Sequence, residues 1–137
     1  MRNEVVLRFC IWGFTEISHD EITLAMGIKP SKIYVKGERK NPKFAALAED
    51  NGWLLEPPCD KYTSFEIQLN SLLKIIQSKF EVIKKYCEKY TCEISCAVFI
   101  YYDNQESTPS ISLGSEYNKI IRDLNLEFDV DIYCLPN

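Results

Sequence analysis

Between Ser64 and Tyr90 the apolar residues Phe65, Leu69, Leu72, Leu73, Ile76, Phe80, Ile83, Cys87 and Tyr90 recur at spacings of three and four. That period puts them on one stripe of a helix. Thr63 or Ser64 can cap its start, and Glu66 sits where the helix dipole favours an acid. Lys74, Lys79, Lys84, Lys85 and Lys89 lie off the stripe and form a solvated outer face. Unbroken, the helix would be about 40 Å long. The reading is one helix or two, with a break near Ser78 favoured in so small a chain. Directly behind it, residues 91–102 change to a period of two. Cys92, Ile94, Cys96, Val98 and Ile100 take one face of a strand, with Glu93, Ser95, Ala97, Phe99 and Tyr101 opposite. A one-sided helix and a one-sided strand each need a partner layer, which directs the chain to an α+β architecture.

The remaining elements fit that architecture. Val5, Leu7, Phe9 and Ile11 alternate with Val6, Arg8, Cys10 and Trp12, a strand well inside the sheet and buried mostly on one side. Ser18-His19-Asp20-Glu21 is a capping box, and Gly27 followed by Pro30 stops the short helix it opens. Ile33-Tyr34-Val35 and Gly52 to Glu56 read as short strands, the second ended by Pro57-Pro58. Phe44 to Ala48 are predicted to form a single helical turn, after a solvated basic loop over residues 36–43. Ser115 is the expected cap of a last helix buried through Tyr117, Ile120, Ile121 and Leu124. A final strand is expected from Leu126 to about Cys134. The whole is predicted to be one domain over residues 1–137. It would have a mostly antiparallel sheet, helices on one face, and a split β-α-β (ferredoxin-like) core with an appended helix and strand.

Composition narrows the functions. Sixteen basic and twenty acidic residues leave a net charge of −4, a poor match to nucleic acid, whose phosphates need a basic surface. No stretch has the ~18 apolar residues of a membrane helix, and no export signal opens the chain, so the cytoplasm is the expected location. The six cysteines include no CxxC, and His19 is the lone histidine. A zinc site would need almost pure thiolate ligation at unsuitable spacings, so the thiols read as buried apolar groups and no metal or cofactor is expected. No phosphate-binding, metalloprotease or serine-hydrolase motif is present. Cys-His chemistry would need His19 beside an accessible Cys10, which a strand interior disfavours. The expectation is a protein that is not an enzyme.

One constellation remains. Glu127, Asp129 and Asp131 fall on the same face of the last strand, about 6.5–7 Å apart, with Tyr133 continuing the row. Like charges in a row require solvent, cations or a partner. The row reads either as a solvated or edge-protecting face, as a stripe for a basic partner, or as a divalent-metal site lacking the ligand spacing of a calcium loop. Trp53 is either a core anchor or a partner-contacting hot spot.

Three segments carry a resemblance. They are Asp20 to Pro30 with Lys36-Gly37-Glu38, then Gly52-Trp53-Leu54, then Asp129-Val130-Asp131-Ile132-Tyr133, with the long helix between the last two. In this order the chain resembles the bacterial family called domain of unknown function 4279, over nearly its whole length. The cysteine-rich stretch from Cys87 to Cys96 is not part of that likeness. The resemblance implies a small bacterial α+β domain and transfers no catalytic residues. Some small families of this style are immunity proteins, which neutralise a toxin. The leading expectation is therefore a protein-binding domain of that kind. Glu127, Asp129, Asp131, Tyr133 and Trp53 would face a basic, nuclease-type toxin. The alternative is a small-ligand-binding or regulatory domain of bacterial metabolism, with an apolar pocket between the sheet and the long helix.

Overall fold

The computed structural model describes residues 1–137. The chain runs β1 (Glu4–Trp12), α1 (His19–Met26), β2 (Lys32–Tyr34), β3 (Gly52–Leu55), α2 (Phe65–Ser78), α3 (Phe80–Lys89), β4 (Thr91–Tyr102), α4 (Ser115–Ile121) and β5 (Leu126–Pro136). The five strands form one mixed sheet in the order β2-β3-β1-β4-β5. β1 is central, and its pairs with β3 and β4 are antiparallel, as is β2 with β3. β5 alone runs parallel to its neighbour, β4. The α+β class, the mostly antiparallel sheet and the central position of the first strand are as the alternation predicts.

Register puts one apolar row on one face. Phe9 lies between Leu55 and Ile94, and Ile11 between Trp53 and Cys92. These residues share a single core of 23 buried side chains with Ile22 and Met26 of α1, Leu72 and Ile76 of α2, Ile83 and Cys87 of α3, and Tyr117 and Ile120 of α4. All four helices therefore cover the same face of the sheet.

Local signals explain most boundaries. Ser18 accepts from the Glu21 amide at 3.1 Å, and Gly27 ends α1 at φ 66°, a left-handed conformation that costs glycine little. The long amphipathic run is two helices. Ser78 donates its hydroxyl to the Ile75 carbonyl at 2.7 Å, and Lys79 leaves helical geometry at φ −120°. A side chain competing for a helix carbonyl accounts for the break.

Three expectations need correction. Residues 44–48 form no helical turn. Lys40 donates to Ala46, and Ala48 donates to Glu38, so the segment is a small hairpin tip. Five residues cannot repay helix nucleation, and only Ala48 among them is buried. Gly114, not Ser115, is the N-cap of α4, without a side-chain cap bond. β5 continues to Pro136 because its register with β4 continues to Tyr102. Its later core-side residues Ile132 and Cys134 are exposed, unlike the partly buried Phe128 and Val130. No helix is long and apolar enough to cross a membrane.

Candidate functional site

No helix covers the other face of the sheet, although Cys10 and Leu54 are buried on it. Along β5, Glu127, Asp129, Asp131 and Tyr133 are all exposed on it. Their partners across β4 are Glu93, Ser95, Ala97 and Phe99. Glu93 is thus a fourth carboxylate in the cluster, directly opposite Glu127. The two ion pairs of the chain, Arg8 with Glu56 and Lys61 with Glu4, use none of the four. Arg8 shares this face, but its guanidinium is held 3.1 Å from Glu56.

Glu93 is half-buried and accepts from the Trp12 indole at 3.0 Å. Burial pushes its carboxyl above the usual range, and the charges of Asp129, Glu127 and Asp131 add to the effect, against the indole bond. The folded protein therefore holds this proton more tightly than the unfolded chain. Its contribution to stability is present at acid pH and is lost as pH rises through the elevated folded value. Glu93→Gln keeps an acceptor for Trp12 and removes the charge. It should raise stability at about pH 7 and change it little at about pH 4, near the ordinary glutamate value. Urea midpoints at both pH values check this, and an equal effect at the two would contradict it.

Two aromatic pairs flank the acids. Phe99 and Tyr133 stack at 5.0 Å with their planes 14° apart. On the other side Trp12 stacks on Tyr34 at 5.7 Å, reaching across β3 at Gly52. A Cβ on Gly52 would lie 2.4 Å from the Trp12 ring. Glycine is required there so that the indole can lie flat and reach Glu93.

The structure thus brings together Glu127, Asp129, Asp131 and Tyr133, and separates Trp53 from them. Trp53 is fully buried, and its indole donates to the Thr23 hydroxyl at 3.0 Å. It is a core anchor, which corrects its expected contact with a partner. Its register opposite Ile11 turns it to the helix-covered face. Glu93, Trp12, Tyr34 and Phe99 were not singled out by the sequence. The acid on the polar face of β4 was a signal, but it gains meaning only through the parallel pairing with β5.

The other chemistry-bearing side chains lie elsewhere. His19 donates through Nε2 to the Tyr34 carbonyl at 2.8 Å and packs edge-on against Phe14. Cys10, Cys87, Cys92 and Cys96 are buried, as the apolar reading of thiols predicts, whereas Cys59 is half-buried and Cys134 exposed. Burial pushes the Cys10 thiol up to about 12, far from thiolate chemistry. No group of three or more His, Cys, Asp or Glu residues has metal-binding geometry.

A separate concavity of about 630 Å³ opens between the start of α2, the 103–114 loop and the start of α4. It does not lie between the sheet and the middle of the long helix, where the core is filled by Leu72 and Ile76. Its walls mix polar side chains with the apolar Phe65, Leu69 and Tyr117. The concavity lies at the end of the sheet–helix layer, where Val5 of β1 meets Phe65 and Leu69 of α2, rather than at the middle of the expected position.

Fold and open face define a class: an α+β domain with a five-stranded mixed sheet clad by helices on one side only. Within that class the assignment is direct. Residues 3–135 match the model of the family described as Domain of unknown function (DUF4279), and the chain belongs to that family. No curated protein and no solved structure matches it.

Proposed function

We propose that the protein is a non-enzymatic protein-binding domain, and that it serves as an immunity protein covering the basic active-site cleft of a nuclease-type toxin. One observation carries the reading. Four carboxylates without cationic partners adjoin a stacked, partly exposed aromatic pair on a sheet face that no helix covers. An open antiparallel face is ordinary by itself. An unneutralised row of acids beside an aromatic platform is a composition suited to docking. The acids steer a cationic surface towards the face, and Tyr133 supplies rigid contact area once water is expelled. Five strands at ~4.8 Å spacing span about 19 Å, so the face suits one protein partner of ordinary interface size. Nuclease clefts bind phosphate through Lys and Arg, which gives this acidic face a complementary target.

The test uses the product of the immediately upstream gene as the partner. Asp129→Lys with Asp131→Lys should slow association by about 10- to 100-fold at low salt and flatten its salt dependence. Stopped-flow association rates across ionic strength measure both. A rate that the double variant leaves unchanged would remove the electrostatic basis of the reading.

A further inference from the structure

The groove at the start of α2 shares no residue with the acidic sheet face and carries an inference independent of it. Its volume of about 630 Å³ is within the range of about 300–1,000 Å³ typical of small-molecule sites. Tyr117 lines it, is only 5% exposed, and packs edge-on against Phe128 with ring centroids 5.9 Å apart. Its hydroxyl bonds to no group of the chain and is not fully sealed from solvent. A nearly buried phenol that lines a concavity and leaves its hydroxyl unbonded is a hydrogen-bonding group available to something that enters.

Charge selects the class of ligand. Glu66, Glu106 and Glu116 line the groove, and its one cation, Lys61, is already paired with Glu4 at 2.5 Å. The start of α2 would attract an anion, but a helix end supplies only about +0.5 charge, and α4 adds no more than a similar amount. Three carboxylates outweigh both. Glu66 and Glu116 have no ion-pair partner in the chain. Phe65, Leu69 and Leu73 add an apolar wall beside them. We propose that this groove is a binding site for a small organic cation, an amine or guanidine carrying a short alkyl or ring portion. The ammonium or guanidinium group sits between Glu66 and Glu116, the apolar portion lies along Phe65 and Leu69, and Tyr117 supplies one further hydrogen bond.

The experiment is an amide-resolved NMR titration of the full chain with agmatine, against glutarate as an anionic control and butanediol as a neutral one. Agmatine should shift the amides of Glu66 and of residues 110–117 saturably, with a dissociation constant of about 1 mM or below. Glu66→Gln with Glu116→Gln should weaken that binding by about tenfold or more, the loss expected for charge-assisted bonds. Tyr117→Phe keeps the ring on Phe128 and should weaken it by about 3- to 10-fold. All three substitutions are conservative, and the unperturbed spectrum of each variant confirms its fold. Three outcomes overturn the proposal: no saturable groove shifts up to about 10 mM, equal binding of glutarate or butanediol, or agmatine shifts confined to β5.

Discussion

Replacing Gln68 with Leu should destabilise the protein by about 3–5 kcal/mol, a large share of the ~5–15 kcal/mol that holds a domain together. Gln68 sits on the apolar stripe of α2 and is the one polar side chain buried in the core region, only 2% exposed. β3 is too short to pair with the first half of β1, which leaves backbone groups at Val5 and Leu7 without a strand partner. The Gln68 amide takes that place. Its Nε2 donates to the Val5 carbonyl at 2.7 Å and to the Thr63 carbonyl at 2.8 Å, and its Oε1 accepts from the Leu7 amide at 3.3 Å. Leu fills the volume and satisfies none of these groups. Each orphaned buried group costs about 1–3 kcal/mol. Gln68→Glu should be worse still near neutral pH, because it loses both donors and buries a charge, and it should recover on acidification. Urea denaturation reads the loss as a lower midpoint at constant slope. A loss under about 1 kcal/mol for Gln68→Leu would show that the amide is not replacing a strand.

Trp53→Ala should cost about 3–5 kcal/mol, the usual range for emptying a large aromatic site. Trp53 lies between Ile33 of β2 and Ile11 of β1, beneath α1, and its truncation also removes the indole donor from the Thr23 hydroxyl, which keeps its own bond to the His19 carbonyl. Trp53→Phe should cost less, because most of the volume remains. The same variant separates core from contact surface. Kept folded at low temperature, Trp53→Ala should bind a basic partner at the wild-type rate, whereas Tyr133→Ala should dissociate faster. A stable Trp53→Ala protein with weakened association would reverse these roles.

These residues mark where the sequence is legible and where it is not. Signals that act within one element are readable. The alternation in β1 and β4, the Ser18 cap and the Gly27 stop all place elements as the structure has them. The acidic row on β5 is readable for the same reason, since a period of two fixes which side chains share a face. Properties that arise between elements are not. Gln68 matters because β3 ends early, Gly52 because Trp12 lies over it, and Glu93 because β5 docks in parallel beside it. Trp53 faces the helices through its register, and alternation alone cannot say which face of a four-residue strand is covered. The groove is formed by segments separated in sequence, two of which carry no periodic signal.

The parallel pairing of β5 also sets an order of assembly. The antiparallel part of the sheet is complete once the chain has been made through residue 102. β5 cannot follow by a tight turn, because a parallel neighbour requires a crossover, here residues 103–125 with α4 inside it. The pairing comes last in synthesis because its residues are made last; it joins positions such as Cys92 and Leu126, closer in sequence than Trp12 and Thr91 of the β1–β4 pair, so loop closure does not hold it back. In the interval β4 is an open edge, and Glu93 has no acidic neighbours. As an exposed edge strand, β5 should open before the central β1, its amides exchanging with solvent at a lower free energy than those of β1. A nascent chain thus holds a four-stranded antiparallel sheet before it holds any acidic face.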